Sequence, residues 1–302
     1  MLPNFFVAGV QKAATTSLHE YLKVHPDIYL PEQKETKFFA DDSRYEKGID
    51  HYRQKHFSAW AGQSAVGEID PDYIFFEQAL ERMVKDLDLS QTKFIFIFRN
   101  PVERAFSHYL MTFRRGYEPL SFEDAIAAEG ERIEKNYFSR LHFSYTTRGF
   151  YHRQLSRFAK HLHPSQMLFL LTEDLHPDPL PVLRRICEFL GINGEFSSHN
   201  TQRRFHTGTR PRNVKLLRRI VSDNPGFEKK IARILIPWER PRHWLRSEIL
   251  RWNETSIKKT VLSAATRQML SARYRTENQR LGEFIGRDLR HWDEAPPRGA
   301  QP

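Results

Sequence analysis

The sequence predicts an α/β fold in which a parallel sheet is covered by helices on both faces. Two observations carry this. Short, wholly apolar segments recur along the first two-thirds of the chain, and Lys93-Phe94-Ile95-Phe96-Ile97-Phe98 is the clearest. Strands without a polar face belong in a sheet buried on both sides. Between them lie amphipathic stretches long enough for helices, and that alternation is the pattern of parallel strands joined by helical crossovers.

The elements follow in order. Asn4-Phe5-Phe6-Val7-Ala8-Gly9-Val10 reads as a buried strand, and after a short polar turn a helix runs from about Thr16 to Val24. Ala65–Ile69 is a second strand, followed by a helix over Phe75–Leu87. After Lys93–Phe98, Pro101 suits a first helical turn because its fixed φ and missing N–H cost nothing there, and the helix covers Glu103–Phe113. Phe150–His161 is amphipathic, with Leu155, Phe158 and Leu162 on one face. Met167–Leu171 is a further strand, and Pro181–Leu190 a helix that Gly191 ends. The remainder is Arg-rich and mostly helical, including Ala264–Phe284. No repeat or linker divides the chain, so residues 1–294 read as one domain and 295–302 as a disordered tail.

Composition narrows the function classes. Apolar residues at 39% and aromatics at 13% exclude a disordered chain. No apolar run approaches the roughly 20 residues of a membrane span, and no basic-then-apolar leader opens the sequence. A cytoplasmic protein without a transmembrane segment is expected. Cys187 is the only cysteine, which excludes intramolecular disulfides, Cys-rich zinc sites and iron–sulfur clusters. The net charge of +10 is unevenly spread: residues 1–198 carry 24 Lys plus Arg and 27 Asp plus Glu, whereas 199–302 carry 23 and 10. The basic last third is either a set of solvated Arg-rich helices or a surface for an anionic ligand.

Two segments point to chemistry. In Gly9-Val10-Gln11-Lys12-Ala13-Ala14-Thr15-Thr16-Ser17 a strand ends in a loop with a lysine and hydroxyls, then opens a helix. Unpaired amides and the positive dipole end of a helix start attract an anion, although an ordinary capped helix start reads the same way. It is not a nucleotide-triphosphatase loop, since no Gly directly precedes Lys12 and the hydroxyls come three residues later. The second segment, Arg99-Asn100-Pro101-Val102-Glu103-Arg104-Ala105-Phe106-Ser107-His108-Tyr109, begins at the carboxyl end of the clearest strand. Ligands of open α/β sheets bind at that end, and an arginine fork with a serine can grip one phosphate. Surface arginines on a plain helix would also fit.

Together, in this order and each after a strand, the segments resemble the 5′-phosphosulfate loop and 3′-phosphate motif of one enzyme family. It comprises the sulfotransferases that use 3′-phosphoadenosine 5′-phosphosulfate (PAPS), especially the heparan sulfate, or glycosaminoglycan, type and its bacterial relatives. Arg99, Pro101, Arg104, Ser107 and Tyr109 match the second motif at each fixed position. Lys34-Glu35-Thr36-Lys37-Phe38-Phe39 resembles the segment with the family's catalytic carboxylate, Arg148-Gly149-Phe150-Tyr151 its Gly-x-Tyr helix, and Leu281–Trp292 its carboxyl-terminal ending. The similarity runs from about Phe5 to Trp292.

The resemblance implies a P-loop-like three-layer sandwich with a central parallel sheet. It also implies sulfonate transfer from PAPS to a hydroxyl or amine of an acceptor, expected to be a carbohydrate, leaving adenosine 3′,5′-bisphosphate. Lys12 would be catalytic and would bind the cofactor together with Ala13, Ala14, Thr15, Thr16 and Ser17. Arg99 and Ser107 would take the 3′-phosphate, Tyr151 and Arg210 would add cofactor contacts, and Glu35 would be the general base. No metal and no nucleic-acid partner are expected.

This chain departs from the family at two places. Ala13 and Ala14 stand where relatives often carry Gly, a strain if positive φ is needed there. Glu68-Ile69-Asp70-Pro71-Asp72-Tyr73 lacks the lysine that glycan-modifying relatives often have after the glutamate, and its acids read as structural turn residues. Two other classes compete. A nucleotide kinase on a P-loop-like fold would need a Gly-Lys-Ser/Thr loop and a magnesium carboxylate. A non-enzymatic polyanion-binding protein would explain residues 199–302 but neither phosphate motif. Acceptor identity, O- against N-sulfation and oligomeric state are not legible.

Overall fold

The computed structural model describes residues 1–195, 209–211, 254–256 and 261–294, with backbone alone at 209–211 and 254–256. The 295–302 tail lies outside the described residues, as does the side chain of Arg210. The strands are β1 (Phe5–Gly9), β2 (Ile28–Tyr29), β3 (Ala65–Ile69), β4 (Lys93–Phe98), β5 (Met167–Leu171), β6 (Thr209–Pro211) and β7 (Glu254–Ser256). The helices are α1 (Thr15–Leu22), α2 (Asp42–Tyr45), α3 (Ile49–Phe57), α4 (Glu77–Asp86), α5 (Pro101–Arg114), α6 (Phe122–Ala127), α7 (Glu129–Ile133), α8 (Tyr137–Phe143), α9 (Tyr151–Phe158), α10 (Leu180–Leu190) and α11 (Ala264–Ile285).

The chain divides into two compact units. The first combines Met1–Ala105, Thr146–Phe205 and Ala265–Pro302. Its five strands form one parallel sheet in the order β2-β3-β1-β4-β5. The order places β1 between β3 and β4, with Phe6 opposite Glu68 on one side and Phe94 on the other. The carboxyl ends of these three strands therefore share one edge, and the segments after them carry the candidate residues.

Burial explains why the apolar runs became strands: every residue of β1 and β3 is buried, as is all of β4 after Lys93. Aromatic rings fill the space between sheet and helices. Phe6 stacks on Phe94 with centroids 5.5 Å apart, and Phe158 of α9 meets Phe96 edge-on at 5.2 Å. Each such side chain contributes about 1.5–3 kcal/mol by leaving water. Gly67 is required by this packing, because a Cβ there would sit 2.1 Å from Cζ of Phe5. The two-residue β2 and the short α2 and α3 escaped the sequence reading, since two to nine residues with mixed polarity show no clear period. Gly191 ends α10 at φ 78°, as its place predicted.

The second unit holds Phe106–Tyr145 and His206–Ala264. Buried Glu118 organises its described part, accepting from Tyr145 Oη at 2.6 Å, Arg132 Nη1 at 2.7 Å and the Leu120 amide at 3.1 Å. β6 and β7 pair antiparallel, with Arg210 opposite Thr255. Among the described residues no helix is long and apolar enough to cross a membrane.

Candidate active site

The loop after β1 is shaped for an anion. Lys12 and Ala14 both adopt left-handed backbone, φ 73° and 58°, whereas Ala13 does not. The positive φ anticipated for this loop thus falls on one of the two alanines, and side chains pay on the order of 1 kcal/mol there. Val10 donates to the Ile97 carbonyl at 2.9 Å and Ala13 to the Val10 carbonyl at 3.2 Å, which folds the loop back on the sheet. α1 then begins without a side-chain cap and without an acid in its first turn. Its first amides are left for a ligand, and the dipole favours a negative one. Thr15 is buried, while Lys12, Ala14, Thr16 and Ser17 are half-buried around this start.

Arg99, immediately after β4, joins this loop. Its Nη1 donates to the Lys12 carbonyl at 3.2 Å. Behind it, Tyr151 Oη donates to the Arg99 carbonyl at 2.8 Å, so Tyr151 enters the site through Arg99's backbone. Burial pushes the Tyr151 phenol above its ordinary range, which keeps it a donor. Asn100 caps α5 by accepting from the Val102 amide at 2.9 Å, and its Nδ2 donates to the Trp292 carbonyl at 2.9 Å. The carboxyl-terminal ending is therefore a brace behind Arg99. Trp292 is buried, and its indole donates to Glu173 at 2.7 Å.

The remaining motif positions divide by role. Arg104 is fully buried and acts on Tyr151 by charge. Ser107 is half-buried on α5 and Tyr109 is buried; both belong to the second unit, where Tyr109 Oη donates to the Leu120 carbonyl at 3.0 Å.

Beyond the end of β3 a charged cluster joins Glu35, read from sequence as the general base, to Asp70 and Asp72, read as structural turn residues. The Glu35 amide donates to the Ile69 carbonyl at 3.2 Å, which ties the Glu35 turn to the strand. Lys37 Nζ lies 3.0 Å from Glu35 Oε2 and 3.0 Å from Asp70 Oδ1, and also contacts Asp72 Oδ2. Lys34 pairs with the other Glu35 oxygen, and Arg148 with the other Asp72 oxygen. Beneath them Glu68 accepts from the Thr36 amide at 3.1 Å, Tyr52 Oη at 2.6 Å, Tyr73 Oη at 3.0 Å and the Thr36 hydroxyl.

The environment separates the titration of these carboxyls. Burial, with the Asp70 charge adding to it, pushes Glu68 up to about 7. Burial also raises Asp70, to about 6, against the pull of Lys37. At Asp72 and Glu35 burial acts in the same sense but loses. Lys37 and Arg148 hold Asp72 below the usual carboxylate range, and Lys37 with Lys34 holds Glu35 below its ordinary value. Glu35 is thus an ionised carboxylate rather than one poised near neutrality. No group of His, Cys, Asp and Glu among the described residues is arranged to hold a metal.

Fold and site together define an α/β protein with a lysine-bearing loop between its first strand and helix, joined by an arginine that follows the neighbouring strand. The chain belongs to the family of PAPS-dependent sulfotransferases: a sequence model of the sulfotransferase domain matches residues 2–228. Heparan sulfate glucosamine 3-O-sulfotransferase 3B1 of Mus musculus is 34% identical over 199 residues, which is 63% of this chain and 46% of that protein. The 3-O-sulfotransferase 5 of the same species is 30% identical over 203 residues, 66% of this chain and 56% of that one. The chain thus spans about half the length of these relatives. Among solved structures, a sulfotransferase from Alicyclobacillus acidocaldarius superposes with a TM-score of 0.68 at 26% identity, covering 97% of this chain and all of that one.

Proposed function

We propose that this chain moves a sulfonate group from PAPS to a hydroxyl or amine of an acceptor, with a carbohydrate as the first class to test. One observation carries the reading. The Lys12 loop, uncapped α1 and Arg99 meet at the carboxyl edge of the sheet, so two cationic residues lie beside a helix start that has no side-chain cap. That set of donors fits a nucleotide bearing phosphates at both ends of its ribose.

When bound, PAPS supplies an activated sulfonate. Thr15, Thr16, Ser17 and the α1 amides hold its 5′-phosphate, and Ala13 and Ala14 allow close backbone approach. Lys12 offsets the negative charge that develops on the leaving side, where preorganised donors contribute most. Arg99 binds the 3′-phosphate as a fork, with Tyr151 fixing its backbone; Ser107 and Arg210 enter from the family resemblance alone. Glu35 accepts the acceptor's proton at its carboxylate. The named relatives act on heparan sulfate glucosamine, which supports a carbohydrate acceptor. The reading also takes residues 1–294 as one sulfotransferase domain. It places the protein in the cytoplasm.

Thermal unfolding with adenosine 3′,5′-bisphosphate, ATP and AMP tests this. A ligand at about 100 times its Kd stabilises by roughly 2.7 kcal/mol, several degrees in Tm. The bisphosphate should raise Tm selectively, and equal or absent shifts would overturn the reading. A glycan array with labelled donor then addresses the acceptor.

A further inference from the structure

Lys37 lies at the centre of the charged cluster beyond the end of β3. Ile69 is buried inside β3, and Asp70 and Asp72 follow it. Those two carboxylates recruit an ammonium from the facing turn. Asp70 holds residue 37 twice, accepting the Lys37 amide at 2.8 Å on one oxygen and its Nζ at 3.0 Å on the other. Asp72 takes Nζ on one oxygen and Arg148 on the other, and the Arg148 guanidinium lies 4.2 Å over the Phe75 ring. The third partner of Lys37 is Glu35. Both residues hold left-handed backbone, φ 62° at Glu35 and 58° at Lys37, which this ladder of contacts keeps in place.

We propose that Lys37 is the positioning residue for Glu35: anchored on Asp70 and Asp72, its ammonium fixes one Glu35 oxygen and leaves the carboxylate a single orientation. The inference rests on the reading of Glu35 as proton acceptor. Three carboxylates, those of Glu35, Asp70 and Asp72, face three cations, Lys34, Lys37 and Arg148, so the cluster is balanced by sign. Without Lys37 the Glu35 oxygen loses its partner, Asp70 loses the ammonium that pairs with it, and Asp72 keeps Arg148. With arginine the charge remains, but a planar fork cannot reproduce one ammonium shared among three carboxylates.

The test uses the full chain with Lys37→Met and Lys37→Arg. Calorimetry measures adenosine 3′,5′-bisphosphate affinity, labelled-donor transfer to heparan sulfate gives kcat, and carbon NMR of labelled glutamate carboxyls follows Glu35, assigned through Glu35→Gln. Lys37→Met should keep the bisphosphate Kd within about 3-fold, lower kcat on the order of 10–100-fold, and raise the Glu35 midpoint. Lys37→Arg should leave that midpoint in place and still lower kcat. A wild-type kcat in Lys37→Arg, or an unmoved Glu35 midpoint in Lys37→Met, overturns the proposal. So does a loss of nucleotide affinity equal to the loss of kcat. If Lys37→Met does not fold, Lys37→Arg decides alone. If heparan sulfate is not an acceptor, the NMR midpoint decides. Failure of the functional reading is separate, because there the wild-type chain itself does not bind the bisphosphate.

Discussion

Arg99 and Lys12, 87 residues apart in sequence, meet through a hydrogen bond: Arg99 Nη1 donates to the Lys12 carbonyl at 3.2 Å. Because β1 and β4 are neighbours in the sheet, the two segments that follow them are brought side by side. Arg99 is held from the other side as well, since its carbonyl accepts from Tyr151. The arginine is thus set at its backbone and aimed at the loop before any ligand arrives. Preorganisation of this kind lowers the entropy that binding must overcome.

Arg99→Ala removes that fork. Hydrogen bonds with charged groups contribute about 1.5–3 kcal/mol, so the bisphosphate Kd should rise roughly 10- to 100-fold. Arg99→Lys should not restore it, because an ammonium cannot present two parallel donors. Calorimetric titration reads this directly, and an unchanged Kd in Arg99→Ala would remove Arg99 from the site.

Lys12→Ala and Glu35→Gln should separate chemistry from binding. Loss of one preorganised group facing developing charge costs roughly 100- to 1,000-fold in kcat. Lys12→Ala should lose turnover on that scale, and Glu35→Gln should lose turnover while keeping bisphosphate affinity. Full activity in Glu35→Gln would exclude it as the base.

Much of this was legible in the sequence, and the rest was not for identifiable reasons. β3, β4 and β5 fall at the predicted residues, because strands buried on both faces leave an unbroken apolar run. Lys12 and Arg99 stood out as candidates because each follows such a strand. The Lys37 cluster was not. Its members come from three separate segments, and Asp70-Pro71-Asp72 looks like any acidic turn until Lys37 and Arg148 are seen beside it. The alternating charges of Lys34-Glu35-Thr36-Lys37 were the only local signal. Tyr109 shows the opposite case: it fits the phosphate motif, yet its hydroxyl is engaged with Leu120.

Gly67→Ala tests the packing beneath the site. The added Cβ would lie 2.1 Å from Cζ of Phe5, a ring with no exposed surface to move into. Overpacking a core of this kind costs about 1–3 kcal/mol. Chemical denaturation should show that loss as a lower midpoint with an unchanged slope. A midpoint equal to wild type would mean that β1 and β3 are less tightly packed than the Phe5–Gly67 register requires.

Glu68 makes stability depend on pH in a direction opposite to that of most carboxylates. Its folded value is about 7 against an ordinary 4.5, through burial first and the Asp70 charge second. Between those values the folded chain binds more protons than the unfolded one, so stability falls as pH rises through the window and is fully present below it. Asp70, raised from 3.8 to about 6, acts in the same sense. His56, lowered from 6.5 to about 4 chiefly by burial, acts in the opposite sense between those values, and Asp72 does so only below 3.8. Total stability therefore mixes several groups, and the difference between wild type and Glu68→Gln isolates one. The amide does not titrate and can still meet Thr36, Tyr52 and Tyr73. From about pH 5 to about pH 8 the Tm of wild type should fall relative to that of Glu68→Gln. Parallel curves across that range would show that Glu68 is already ionised in the folded protein at the acidic end.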